Sequence, residues 1–338
     1  MISTAPVAGS RLAGVGGVRG SRVVPNADII GPINSSDEWI RQRTGMVTRC
    51  RVSPDQTLLS LSVQASQAAL AQADLSVADV DAVIVATITH FEQTPAIAPQ
   101  VAAALGCGPV PAWDISAACA GYCYAVAQAD ALVRAGSNRC VLVIGAEVLS
   151  QFIDPADRTI SFLLGDGAGA AVVVPSSTPQ IARTVWGAEG DKACLVGQTA
   201  SWLDYAANPE EVSVPVLHQE GPSVFKWAVF SVAKVAEAAI AAAGLQATDI
   251  DVFIPHQANM RIVESMAKRL GLRADCVIAD DIVTTGNTSS ASVPLATEAL
   301  YRAGRVKGGE TALQIGFGAG LAYAAQVVTL PTPNPTAE

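Results

Sequence analysis

Alanine-rich stretches that switch abruptly into runs of β-branched residues occur at two places in the chain. Residues 67–86 read QAALAQADLSVADVDAVIVA and residues 237–256 read EAAIAAAGLQATDIDVFIPH, matched without a gap at an offset of 170. Each copy predicts a helix, a short polar turn and a buried strand. An acidic pair precedes each strand, Asp79 and Asp81 in one copy, Asp249 and Asp251 in the other. The correspondence continues. AVAQADALVRAG (125–136) parallels VPLATEALYRAG (293–304), and VLVIGAE (141–147) parallels ALQIGFG (312–318). GAGAAVVV (167–174) resembles GAGLAYAAQVV (318–328), with the spacing shifted. A long ungapped match with later echoes in the same order indicates an internal duplication. The pattern predicts two related halves, 11–178 and 179–330, meeting near PSSTPQIA, and a frayed proline-rich tail over 331–338. Strands alternating with helices form sheets covered by helices, so two such halves side by side give a layered α-β-α-β-α body of the α/β class.

Composition supports a large core. Half of the 338 residues are hydrophobic, 15% are charged and only 5% are aromatic, which favours close packing of helices on strands. A net charge of −9 argues against a general nucleic-acid binder and leaves room for a local basic patch. The cysteines are Cys50, Cys107, Cys119, Cys123, Cys140, Cys194 and Cys276. Their odd number and irregular spacing fit a reducing cytoplasm better than a disulfide framework. His90, His218 and His256 are far apart in sequence, so no metal site is expected. No run of about 18 uncharged apolar residues predicts a membrane span, and the N-terminus lacks a signal-peptide core.

Candidate chemistry starts at DISAACAGYCYA (114–125), which carries two cysteines among small residues. Asp114 or Ser116 is placed to cap the following helix, and Gly136 to end it. Cys119 then falls in the first turn, where unpaired N–H groups and the helix dipole favour a thiolate. Cys123 lies one turn deeper and loses most of that field. Small neighbours Ala117, Ala118, Ala120 and Gly121 let a bulky thioester approach. Cysteine is also a common small core residue, and this segment alone supports both readings equally. Aligning Ala135-Gly136 with Ala303-Gly304 places Cys119 opposite Asn287. His256 ends the second copy's strand where the first copy has Ala86, so the shared fold does not demand a histidine. The cluster His256, Gln257 and Asn259 at a strand end suits a site better than a core. TTGNTSSAS (284–292) is a second polar turn before a helix, and GFGAG (316–320) is a hinge that brings backbone N–H groups near a developing oxyanion.

Six motifs stand in order along the chain: SSDEWIRQRTG (35–45), SAACAGYCYA (116–125), DRTISFLLGDGAGA (157–170), PHQANMRI (255–262), TGNTSSAS (285–292) and IGFGAGLAYAAQ (315–326). Together they resemble the β-ketoacyl-acyl carrier protein synthase III family of the thiolase superfamily, over about residues 11–330. The resemblance implies a thiolase-like five-layer fold, a homodimer, and a site of Cys119, His256 and Asn287. It implies acylation of Cys119 by an acyl-CoA. Malonyl-ACP, the substrate on an acyl carrier protein, then loses CO2 under hydrogen bonds from His256 and Asn287 and condenses to 3-oxoacyl-ACP. The oxyanion would rest on the backbone N–H groups of Cys119 and Gly318. No metal or organic cofactor is implied.

Further roles follow from the same resemblance. Trp39 and Arg43, helped by Arg158, would hold the adenine end of CoA, and Asn259 would line the pantetheine tunnel. Lys226, Arg261, Lys268 and Arg269 resemble a carrier-docking face. Gln93 and Thr94, in a loop that gates the partner's acyl pocket, leave more room than a bulky aromatic there. A branched or medium-to-long acyl-CoA is therefore the expected primer. The alternative is a related acyltransferase, or a priming enzyme of secondary metabolism, with another acceptor. A non-catalytic acyl- or carrier-binding subunit is disfavoured, because Cys119, His256 and Asn287 are all present.

Overall fold

The computed structural model describes residues 7–333. One five-stranded sheet contains β1 (Gly9–Arg19), β4 (Ala82–Ala86), β5 (Ala112–Ile115), β6 (Val141–Val148) and β7 (Asp166–Ser176), in the order β1-β7-β6-β4-β5. The other contains β8 (Val185–Ala188), β11 (Val252–Pro255), β12 (Val277–Ile278), β13 (Thr311–Gly318) and β14 (Ala322–Thr329), in the order β8-β14-β13-β11-β12. Read in those orders, each sheet has two antiparallel junctions followed by two parallel ones. The duplication seen in the sequence is thus a duplication of sheet topology. Two ribbons stand outside the sheets, β2 (Arg22–Pro25) with β3 (Thr48–Arg51), and β9 (Val196–Gln198) with β10 (Leu217–Gln219).

The apolar pattern sorts the helices into layers. On β4, Val83 and Val85 pack with Leu61, Ala65 and Ala69 of α2 (Leu58–Ala73) and Val101 of α3 (Ile97–Leu105). Between them, Ile84 points the other way, onto Val126 and Ala129 of α4 (Gly121–Arg134). Successive strand side chains face opposite sides, and a strand covered on both reads as an unbroken apolar run. The central cluster joins α4 to Val293, Ala296 and Leu300 of α10 (Ser292–Arg302) and to both sheets. Beyond the second sheet lie α7 (Ala233–Ala242) and α8 (Met260–Leu270). The expected five layers are therefore present. Shorter helices occupy the connections: α1 (Asp37–Thr44), α5 (Trp202–Ala207), α6 (Gly221–Trp227) and α9 (Ile282–Thr285).

The acidic pairs have a shared purpose. Asp81 accepts from the backbone N–H groups of Arg139 and Cys140, and Asp251 accepts from that of Thr311. Each carboxylate thus ties its strand to the start of the neighbouring parallel strand. At the C-terminus, Pro331 is buried and its carbonyl accepts the Tyr301 hydroxyl, so the chain is still packed where fraying was expected to begin. The rest of that predicted tail, 334–338, lies outside the described residues.

A buried ionic cluster fastens one half to the other. Arg19, at the end of β1, meets Asp281 at 2.9 Å and Glu298 at 2.6 Å, and donates to Thr285 Oγ1 and the Leu295 carbonyl. Arg19→Met removes the cation shared by both carboxylates and strands Asp281, while Glu298 keeps Arg302 at 3.4 Å. The expected cost is about 3–5 kcal/mol in urea unfolding, part of it recovered by adding Asp281→Asn.

Candidate active site

A cavity of about 440 Å³ opens between the halves, and its lining includes Cys119, His256, Asn287 and Gly318. Cys119 sits in the tight turn Ala118–Ala120 that leads into α4. Ala118 adopts φ 45°, a left-handed conformation that a non-glycine residue holds only when its surroundings impose it. Backbone contact supplies the constraint. A Cβ on Gly316 would lie 2.9 Å from the Cys119 carbonyl oxygen, and one on Gly318 would lie 2.8 Å from Cys119 Sγ. Both glycines of the hinge are needed for β13 to pass this close to the sulfur.

The second half repeats the turn at Ser289–Ala291, with Ser289 at φ 48°. This corrects the expected pairing. The structural counterpart of Cys119 is Ser290, rather than Asn287. The alignment on the helix C-termini failed because α4 has 14 residues and α10 has 11. The capping expectation is also revised. Neither Asp114 nor Ser116 caps α4, whose N-terminus has no side-chain cap. The Asp114 carboxylate accepts instead from the N–H groups of Ile97 and Ala98 at the start of α3.

The surroundings of the thiol pull against the expected thiolate. Burial pushes Cys119 up to about 12, with the nearby Glu147 carboxylate adding to the rise. Desolvation thus works against the field of the helix at this sulfur. Cys123, one turn further on, is fully buried in the central core and is likewise pushed up to about 12.

His256 follows β11 and its backbone N–H donates to the Ile315 carbonyl, which extends the strand by one residue. The imidazole is 2% exposed, and its edge packs against the Phe317 ring with centroids 5.3 Å apart. Nδ1 lies 2.7 Å from Ser292 Oγ, which also accepts from the Gln257 N–H. The Ser292 proton then points to Nδ1, and the remaining ring proton is assigned to Nε2. Asn287 is fixed on both sides. Its N–H donates to Leu163, its carbonyl accepts from Gly165, and its Oδ1 accepts from the Ser289 N–H at 2.9 Å. That last bond leaves Nδ2 as the amide's donor. Sequence reasoning missed Ser292 and Phe317, although both stand inside the motifs it picked out.

The other polar residues near His256 serve structure. Gln257 donates to the Pro255 carbonyl and accepts from the Ile282 N–H. Asn259 caps α8 through the Arg261 N–H, and its Nδ2 donates to the Arg43 carbonyl, so it joins α8 to α1 while lining the cavity.

At the cavity's outer end, Trp39 is half-buried against Phe162. The guanidinium groups of Arg43 and Arg158 lie 5.6 and 4.8 Å from its ring centroid. Trp39 and Arg43 line the cavity. Among the expected docking residues, Arg261 lines the cavity and lies over the Phe225 ring, while Lys226, Lys268 and Arg269 are exposed. Gln93 lines a second cavity, of about 780 Å³, that adjoins Ala118; Thr94 is not among its lining residues.

Burial pushes the His256 imidazole down to about 3, from an ordinary value of 6.5. Between those values the unfolded chain binds a proton that the folded chain refuses, so stability falls as pH drops through this window. His256→Gln removes that proton uptake. Unfolding free energies from urea titrations at pH about 6.5 down to about 4.5 are expected to fall less steeply than in wild type, by up to about 1.4 kcal/mol per pH unit.

Comparisons with known proteins give the chain its family. Residues 113–190 match the family model described as 3-oxoacyl-[acyl-carrier-protein (ACP)] synthase III, and residues 240–330 match its C-terminal model. The chain is 54% identical to the beta-ketoacyl-[acyl-carrier-protein] synthase III of Streptomyces glaucescens, over 95% of this chain and 96% of that one. It is 49% identical to the mycobacterial beta-ketoacyl-[acyl-carrier-protein] synthase III of Mycobacterium marinum, over 97% and 98%. Among solved structures, the priming β-ketosynthase of the R1128 polyketide biosynthetic pathway superposes with a TM-score of 0.96 at 44% identity, covering 98% of this chain and 99% of that one. The 3-oxoacyl-[acyl-carrier-protein] synthase III of Aquifex aeolicus VF5 gives 0.87 at 35% identity, covering 95% and 100%. With relatives this similar over nearly its whole length, the chain belongs to the 3-oxoacyl-[acyl-carrier-protein] synthase III family.

Proposed function

We propose that this chain is a condensing enzyme that uses Cys119 to carry an acyl group from CoA to malonyl-ACP. The observation that carries the reading is a single cavity with a thiol, an imidazole and a carboxamide at its floor and an aromatic–guanidinium platform at its outer end. In the first half-reaction Cys119 Sγ attacks the acyl-CoA thioester and CoA leaves, splitting one difficult step into two. The oxyanion is received by the backbone N–H groups of Cys119 and Gly318. Malonyl-ACP then enters. Its thioester oxygen gains negative charge as CO2 departs, and His256 Nε2–H and Asn287 Nδ2–H are fixed donors for that charge. The carbanion attacks the acyl-cysteine to give 3-oxoacyl-ACP.

A neutral imidazole suits this task, since an imidazolium would have to survive in a desolvated pocket. The rim fits the cargo. Trp39, Arg43 and Arg158 offer a ring and two planar cations to a purine and its phosphates. Lys226, Arg261, Lys268 and Arg269 give an acidic chain a basic surface for an acidic carrier protein. No metal or organic cofactor enters this reading. Exposed Phe91 and Trp202 beside the second cavity fit coverage by a second copy, with the 89–99 loop and Gln93 at that contact. The size of that cavity favours primers longer or more branched than acetyl. Seven unpaired cysteines fit a reducing cytoplasm.

The likeness to a priming ketosynthase of a polyketide pathway favours one second reading, in which the same chemistry starts a polyketide. Intact-mass analysis with a panel of acyl-CoAs, then with malonyl-ACP, tests both. Wild type is expected to gain the acyl mass, Cys119→Ala to gain none, and malonyl-ACP to discharge the adduct with release of CO2. An adduct that malonyl-ACP leaves in place would overturn condensation and point to another acceptor. Asn287→Ala is expected to acylate normally and to lose on the order of a hundredfold or more in condensation. Trp39→Ala is expected to raise KM for acyl-CoA about tenfold with kcat nearly unchanged, the pattern of lost uniform binding.

A further inference from the structure

The ribbon of β2 and β3 buries a cation that the scheme above leaves without a task. β3 reads TRCR, and the alternation of a strand puts Arg49 and Arg51 on one face. Arg49 is fully buried. Its Nη1 donates to the Val24 carbonyl at 3.1 Å, and its Nη2 to Asn26 Oδ1 at 2.7 Å and the Phe162 carbonyl at 3.0 Å. Its Nε has no partner. Among the described residues no carboxylate forms an ion pair with it; Asp37 is reached through Asn26, whose Nδ2 donates to Asp37 Oδ1. Burial, with the Arg51 charge beside it, lowers the guanidinium to about 10, so it is still a cation at neutral pH. A charge taken out of water in this way is costly, and the return is the fixing of three oxygens from separate segments.

One of those oxygens belongs to the ledge that carries Asn287. The Asn287 N–H donates at 2.8 Å to the Leu163 carbonyl, one peptide beyond the carbonyl that Arg49 holds. The Asn287 carbonyl accepts from Gly165 at 2.9 Å, and Leu164 and Asn287 form a parallel bridge. Arg51 also addresses this ledge, donating to the Ser161 carbonyl at 3.2 Å. Arg49 alone of the two meets the chain just before Asn287 as well. Gly286 has φ 82°, and a Cβ there would lie 2.7 Å from Arg49 Cβ and 3.1 Å from the Leu163 carbonyl oxygen. Glycine is required for the backbone to close onto the arginine stem in this conformation. The preceding residues are tied to the same ribbon, Val283 through the Val47 N–H and Thr284 through Thr48 Oγ1. The other two groups of the floor have different supports. Cys119 is pressed against Gly316 and Gly318, and His256 rests on Ser292 and Phe317.

We propose that Arg49 is the positioning residue of Asn287. Its guanidinium holds the ledge at Phe162 and its stem bears on Gly286, so the backbone of Asn287 is clamped from both sides and the carboxamide keeps its place in the cavity wall. The consequence for catalysis rests on the condensing reading, in which Asn287 serves the second half-reaction and takes no part in the first. Loss of Arg49 then damages condensation and spares acylation.

Arg49→Met keeps the start of the stem and removes the cation; Arg49→Lys keeps a cation that can donate to Phe162. Val133→Ala, a core truncation near the far end of α4, is the control for lost stability alone. Hydrogen exchange read by mass spectrometry tests the clamp without substrate. Peptides covering Asn287 are expected to exchange about tenfold faster in Arg49→Met than in wild type, less so in Arg49→Lys. Peptides covering Cys119 and His256 are expected to be unchanged. If the Asn287 peptides exchange as in wild type, or if Val133→Ala loosens them as much, the proposal fails. In single-turnover kinetics, acylation of Cys119 at saturating acyl-CoA is expected to stay within about twofold of wild type in Arg49→Met, while discharge of the acyl-enzyme by malonyl-ACP falls about ten- to a hundredfold. An equal fall in both steps overturns the proposal. A wild-type acyl-enzyme that malonyl-ACP does not discharge would overturn the condensing reading instead, and hydrogen exchange would still decide whether Arg49 positions Asn287.

Discussion

Close approach of backbone across the middle layer governs this structure. Two tight turns, Ala118–Ala120 and Ser289–Ala291, are pressed against strand ends of the opposite sheet. A Cβ on Gly145 would stand 2.3 Å from the Ser290 carbonyl, and one on Gly316 would stand 2.9 Å from that of Cys119. The pair is symmetric, as are the left-handed residues that open each turn. With no side chain to separate them, each half fixes the other's turn to within a bond length. That rigidity is what a site built from two halves requires, because a nucleophile and its hydrogen-bond donors lose effectiveness when misplaced by about 1 Å.

Function arises where the symmetry is broken. At the strand end of the first half stands Ala86; at that of the second stands His256. Glu147 on β6 corresponds to Gly318 on β13, and Cys119 corresponds to Ser290. The substitutions are complementary. Where the second half has a glycine, space opens over the sulfur and becomes the cavity floor. Where the first half has a glutamate, the same space is filled, and Ser290 is tied to it and to the Ala86 carbonyl. One elbow is left reactive and the other is closed.

Most of this plan was legible in the sequence because duplication and layering are written in local pattern. An unbroken apolar run such as AVIVA reads directly as a strand covered on both faces, and it is one. The cavity residues were legible for a different reason, since the motifs put unusual polar side chains at strand ends. What stayed hidden depends on contacts between distant segments. Asp114 was expected to serve the helix next to it, and instead binds α3 across a strand. Gln257 looked like a site residue, yet its amide is engaged with the backbone at Pro255 and Ile282, whereas Asn259 lines the cavity as expected and is held by Arg43 and Arg261. The pairing of Cys119 with Asn287 failed on a difference of three residues between the lengths of two helices. The thiolate expectation counted the local field of the helix and omitted the loss of water around the sulfur.

That omission points to the electrostatic character of the whole site. Both titrating groups at the cavity floor are displaced toward their neutral form, Cys119 upward and His256 downward. A floor without fixed charge suits a reaction whose charge is transient, since a permanent ion there would be solvated by the very donors the intermediates need. Neutral donors in a dry cavity stay oriented and act at nearly full strength when an oxyanion or enolate forms. Fixed charge is kept at the far end, where Arg43 and Arg158 flank Trp39. Anchoring energy is thereby separated from chemistry. The rim can hold the long polar part of a substrate tightly while the floor stays free of charge until the bond changes begin.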